Sequence, residues 1–257
     1  MQPKVKYIHN VNYTIMTSTI ESGINTYIGN FDKLIDICEG FGGSYNPVPT
    51  TLHIPILRDQ SANIKIAITA VDKAQAITID AEDARKKIFS GLLPLVTRIQ
   101  AIAIVLGLPD AIIVHVKEIV RKIRGQRAHK IKLDPSTEEP QKHISVSQVS
   151  FNEQIEHLNQ LIALLKSQPA YMPSESDLTV MALDQLLAAM QTTNVRFVET
   201  EVVLTNARQE RNQLLYAPKT GMMETGLAVK EYVKAVFGTT SPQYKQVKHI
   251  AFRNRKL

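Results

Sequence analysis

Seven histidines, one cysteine and a few closely spaced carboxylates are the residues of this chain that could bind a metal or carry out catalysis. The histidines are His9, His53, His115, His129, His143, His157 and His249. Two metal ligands on one helix need a spacing near four, and no two of these histidines have it. The paired Glu-x-x-His segments of a helix-bundle di-iron centre are missing from the sequence as well. His115 with Glu118, and Glu153 with His157, are spaced to face each other along a helix, an arrangement that solvated pairs explain. Cys38 falls beside Leu34 and Ile35 on the apolar side of its helix, the place of a buried thiol rather than a nucleophile.

Paired carboxylates occur as Asp80, Glu82 and Asp83, and again as Glu199 and Glu201. General acid–base work needs a pocket that drives their pKa values apart, whereas an exposed helical face leaves them in water. The segment GFGGSYNPVP from Gly40 has the glycines of a phosphate loop. It follows a helix rather than a strand and lacks the Lys-Ser/Thr ending, so it reads as a helix-to-helix turn. No G-x-S-x-G elbow is present. These residues indicate no catalytic group, metal ligand, cofactor or small-molecule substrate, and a non-enzymatic protein is expected.

The elements that would position any site are legible from a repeat. VKEIVRKIRG begins at Val116 and VKEYVKAVFG at Val229. Upstream, Leu34 aligns with Leu161, Ile35 with Ile162, Tyr45 with Tyr171, Pro47 with Pro173, Leu52 with Leu178, Leu57 with Leu183 and Arg85 with Arg211. The closing stretches align at a spacing shorter by about 13 residues, so the first copy carries an insertion between Arg85 and Val116. The expected layout is repeat one over about 17–125, a linker rich in proline and charge over about 126–148, repeat two over about 149–238, and a basic tail over 239–257.

Each repeat reads as a helix, a proline-containing loop, a long helix and a shorter helix stopped by glycine, at Gly125 and Gly238. The first helices are expected over Thr17 to Glu39 and Val149 to Ser167, the last over Pro109 to Arg124 and Gly221 to Phe237. Ser176 and Asp177 are expected to cap the second long helix. Pro55 is tolerated only in a first turn, which starts the other near His53 or Ile54. Along the second, Leu183, Leu186, Met190, Thr193, Phe197, Thr200, Leu204, Ala207, Arg211 and Leu214 recur at spacings of three and four, the mark of a bundle seam. Leu57, Ile64, Ala67, Val71, Ala74, Ala81 and Ile88 repeat it with smaller residues.

The expectation is an all-α chain: one elongated pseudo-twofold helical bundle over 1–257 that packs its two long helices side by side. The ends KVKYIHNVNY and QVKHIAFRN could add a short two-stranded β element.

Composition agrees, with few Gly and Pro and an apolar fraction of 44% that supplies a core without staples. One cysteine rules out an internal disulfide and makes the cytoplasm the default. The start has no apolar region of the secretory kind. A formal charge of +6 permits attraction to nucleic acid, anionic lipid or an acidic protein and selects none.

Two features could meet a partner. Basic residues cluster at and after each closing helix: Arg121, Lys122, Arg124, Arg127, Lys130 and Lys132, then Lys245, Lys248, Arg253, Arg255 and Lys256. They could hold phosphates or an acidic partner, though only Tyr244 and Phe252 offer rings for base stacking. The inserted stretch GLLPLVTRIQAIAIVLGLPDAIIV from Gly91 is strongly apolar, and Gly107, Pro109 and Asp110 divide its central part into pieces too short to cross a bilayer. It reads as an extra core helix or as a membrane-active element of the pore-forming kind.

The layout, together with LTNARQERNQLLY, VKEYVKAVFG and SPQYKQVKHIAF, resembles a family of duplicated all-helical proteins of Bacteroidota bacteria. The shared motifs are packing motifs, and the resemblance implies no activity for particular residues. The expected partner is the chain itself or another protein, with a membrane as the alternative and nucleic acid as the next.

Overall fold

A computed structural model describes residues 19–126 and 150–252, and every regular element among them is helical. The chain is all-α. In order the helices are α1 Thr19–Gly40, α2 Ile54–Ser90, α3 Leu92–Val105, α4 Asp110–Ile123, α5 Phe151–Lys166, α6 Val180–Tyr216, α7 Met222–Phe237 and α8 Pro242–Val247. The linker reading falls almost wholly outside the described residues, and so does the first of the two expected strands.

α2 starts at Ile54 with Pro55 in its first turn, where the missing amide hydrogen costs nothing. Both α2 and α6 are 37 residues long, about 56 Å each at 1.5 Å per residue. The start of α6 corrects the expected cap. Ser176–Leu178 form a 3-10 turn, and the Thr179 hydroxyl accepts from the Ala182 amide at 3.3 Å. The Asp177 carboxylate instead accepts a bidentate pair of hydrogen bonds from Arg98 of α3, one of them at 3.0 Å. α5 opens on a reciprocal cap: Ser150 Oγ accepts from the Glu153 amide at 3.2 Å, and the Glu153 carboxylate accepts from the Ser150 amide at 3.1 Å.

α3 lies inside the expected insertion, and α6 passes to α7 without such a helix. α3 and α4 form a hairpin turned at Gly107. Its φ of 69° is open to glycine, and it lets the Leu108 amide reach back to the Ala103 carbonyl. α4 ends in the same way at Gly125, whose φ is 66°.

A single domain is expected from the two seams, but the apolar side chains gather into two clusters and the chain into two compact units, 1–71 with 207–257 and 72–206. In the first unit the apolar face of α1 (Ile24, Ile28, Phe31, Leu34, Ile35 and Cys38) packs on Leu57 and Ile64 of α2, Leu215 of α6 and the α7 residues Met223, Val229 and Val233. The second of the expected strands is corrected here. Gln246 and Val247 close α8, while Ile250 and Phe252 bury themselves in this core. The carbonyls that a strand partner would have used are taken by side chains. Lys230 Nζ donates to Lys248 O at 3.0 Å and Ile250 O at 2.7 Å, and Asn30 Nδ2 donates to Ala251 O at 3.1 Å. Burial draws the Lys230 ammonium below its ordinary pKa against the pull of Glu231. The Phe252 ring lies flat on Gly226, where an added Cβ would stand 2.8 Å from it.

In the second unit α5 packs along α4, with the inner face of α3 (Leu92, Val96, Ile99, Ala103) closing the core against Leu183, Leu187 and Met190 of α6. α2 and α6 run antiparallel within it: Thr78 Oγ1 donates to Thr200 O at 3.2 Å, and Arg85 Nη1 to Asn194 Oδ1 at 3.3 Å. Most seam positions read from sequence are buried, and Ile88, Leu186, Thr193, Thr200, Ala207 and Leu214 are half-buried.

One hydrogen bond recurs in both units. Tyr45 donates to Leu52 O at 2.9 Å, and Tyr171 donates to Leu178 O at 3.0 Å, both buried. Burial pushes the Tyr171 phenol up to about 12, and Tyr45 shifts the same way. Each bond ties the loop to the turn that precedes a long helix. Tyr45→Phe and Tyr171→Phe should each cost about 1–2 kcal/mol, because each strands a buried carbonyl. Hydrogen exchange is expected to quicken around Thr50–Leu52 for the first and Ser176–Leu178 for the second.

Candidate functional site

The residues singled out for chemistry are divided between the core, local turns and exposed helical faces, and His9, His129 and His143 lie outside the described residues. Cys38 is fully buried, and burial pushes its thiol up to about 12, which holds it in the unreactive form. The Gly40 segment is a helix-to-helix turn whose Tyr45 makes the buried bond described above. His53 Nε2 lies 2.9 Å from the Pro47 carbonyl, and His115 lies 3.6 Å from Glu118 on an exposed face. The pairing of Glu153 with His157 is corrected: Glu153 caps α5, and neither ring nitrogen of His157, itself buried, has a hydrogen-bond partner among the described residues. Glu82 pairs with Lys86 at 2.7 Å. Among the described residues no three His, Cys, Asp or Glu side chains gather in a way that could hold a metal ion.

The basic clusters divide between the units. Arg121, Lys122 and Arg124 belong to residues 72–206, and Lys245 and Lys248 to the unit that contains 207–257. Arg127, Lys130, Lys132, Arg253, Arg255 and Lys256 lie outside the described residues. Arg121 is turned onto its own helix end, donating to Gln126 O at 2.9 Å, and Arg124 donates to Thr97 Oγ1 of α3 at 2.5 Å.

Sequence reasoning missed the Arg85 cage. The Arg85 guanidinium stacks 3.5 Å from the Phe197 ring centroid and 4.2 Å from that of Phe151, which itself meets Phe89 edge-on at 4.7 Å. Burial lowers the Arg85 pKa, opposed by Glu201 and Glu82. Its Nε is buried without a hydrogen-bond partner, so the rings supply much of what holds it. The signal available in sequence was an arginine in register with a seam of small residues.

Two apolar surfaces face outward; the one on α6 escaped notice because Ile and Val in a helical pattern look like core, and the other lies in the apolar insertion read as an extra core helix or a membrane-active element. The first is a groove of about 330 Å³ between α2 and α6, lined by Ala74, Ile77, Arg196, Glu199, Thr200 and Val203. On another side of α6, Val195, Val198 and Val202 are exposed at spacings of three and four. The second surface is the outer side of α3. An 18-residue window within the helical run Ile54–Val105 is long and apolar enough to cross a membrane, yet only 28% of it is buried. Leu93, Ile104 and Val105 face outward, Val105 with 78% of its surface exposed.

No protein-family model, curated protein or solved structure matches the chain.

Three substitutions at two positions probe the buried polar groups. Arg85→Ala should cost about 2 kcal/mol through loss of the stacked guanidinium, and Arg85→Lys should recover little of it because an ammonium cannot stack on both rings. His157→Leu should raise the thermal midpoint, since it replaces an imidazole buried without partners by an apolar side chain. Circular-dichroism melts of the three variants measure both effects.

Proposed function

We propose that this chain is a non-enzymatic helical module that associates with a second copy of itself through the α2–α6 groove. The observation that carries the reading is the state of α6 over Val195 to Val203. Its seam is buried against α2, while Val195, Val198 and Val202 on one outer side and Val203 on another stay in water. A helix apolar on every side is stable when something covers it. The groove lining favours a copy of the same chain as that cover. It bears one cation, Arg196, and one anion, Glu199, a turn apart. A twofold contact brings residue i to j and j to i, so an antiparallel copy can pair Arg196 with Glu199 twice.

The chain is also read as a duplicated module, in keeping with two helices of equal length and the tyrosine–leucine bond made twice. Each compact unit then combines the leading helix of one repeat with the closing helix of the other, α1 with α7 and α5 with α4.

Light scattering coupled to size exclusion tests the self-association. A dimer with a dissociation constant on the order of 10 μM, worth about 7 kcal/mol, is expected. Ile77→Glu with Val203→Glu should leave a folded monomer. Arg196→Glu alone should weaken the dimer, and adding Glu199→Arg should restore it. A monomer at all concentrations up to about 1 mM, where an association of even about 4 kcal/mol would show, discards the reading.

A further inference from the structure

We propose that the outer side of α3 is a docking surface for anionic lipid, lying flat in the headgroup region of a bilayer rather than crossing it. The inner side of α3 is committed to the protein core: Leu92, Val96, Ile99 and Ala103 are all at most 1% exposed. The opposite side carries Leu93, Pro94, Ala101, Ile104 and Val105, all exposed. Packing among the described residues therefore explains one face of this helix and leaves the other as apolar surface. α3 has 14 residues, about 21 Å, short of the roughly 30 Å hydrocarbon layer, and an 18-residue apolar window is longer than α3 and has to draw on residues before it in the run Ile54–Val105. Insertion across a membrane would also strip the core of its inner face. A helix in this position gains most by burying its outer side to a shallow depth.

Charge selects lipid as the occupant. Thr97 sits within the outer stripe, and its hydroxyl accepts from the Arg124 guanidinium, which places that cation at the edge of the apolar surface. Over the α3–α4 hairpin, Lys117, Arg121, Lys122 and Arg124 stand against Asp110 and Glu118, while Arg98 is already paired with Asp177. Apolar surface bordered by excess basic charge fits a sheet of anionic headgroups, where each nearby Lys or Arg adds to the attraction. The groove proposed for self-association carries one charge of each sign in its lining and lacks this bias.

Sedimentation of the full chain with large unilamellar vesicles tests the proposal. Vesicles of phosphatidylcholine containing about 30% phosphatidylserine should bind at least ten-fold more tightly than phosphatidylcholine alone, and about 0.5 M salt should remove most of the difference. Ile104→Asp with Val105→Asp, at exposed positions, should lose binding at least ten-fold with an unchanged circular-dichroism spectrum. Arg124→Gln should weaken it several-fold. Ile77→Glu with Val203→Glu should bind vesicles as the parent does, which separates this surface from the self-association groove. No dye should leave loaded vesicles. Failure to sediment with either vesicle, or dye release that signals insertion across the bilayer, overturns the proposal. So does an Ile104→Asp/Val105→Asp variant that changes only the oligomeric state, which would make a second copy the true cover.

Discussion

Concealment of the inner edges of two 37-residue helices is the constraint from which the remaining structure follows. A helix of that length gains little from its own hydrogen bonds beyond what water offers, so its persistence rests on the strip it can hide. α2 offers a strip of small side chains, Ala67, Val71, Ala74, Thr78 and Ala81, all buried. In the unit formed by 72–206, Phe197 and Leu204 of α6 supply bulk where α2 is thin. Of the polar groups admitted to this strip, Thr78 bonds to its own helix and to Thr200, and Arg85 rests between two rings with its Nε left without a hydrogen-bond partner among the described residues. Shorter helices then complete each core. The tyrosine bond before each long helix fixes where the regular hydrogen bonding begins.

Much of this architecture is legible in the sequence because it depends on local rules. Spacings of three and four mark the seams, Pro55 locates the start of α2, and Gly125 and Gly238 locate two stops at positive φ. The readings that miss do so where a distant residue intervenes. Asp177 looks like a helix cap until Arg98, far away in sequence, takes its carboxylate and leaves Thr179 to do the capping. Residues 246–252 look like a strand until Lys230 and Asn30 occupy their carbonyls. Both are tertiary contacts that no local window contains.

The outward apolar surfaces were the hardest to see, for a related reason. Val203 and Leu215 of α6 are alike in a hydropathy pattern, yet one faces water and the other is fully buried. Which apolar residues are left over depends on how many helices arrive to cover them, and that is set by the packing of the whole unit. The insertion is the plainest case. Its apolar character announces a core helix, and half of α3 is one; the other half is surplus to what the core requires.

α3 also changes the valency of the molecule. Two units built from like parts would present any ligand with two like places to bind, and the complex would saturate at two per chain. With α3 in only one unit, and α8 with the segment up to Phe252 in only the other, the two places differ, so a ligand reading either feature saturates at one. A single helix of 14 residues is thus enough to make the two units distinguishable to anything that binds them.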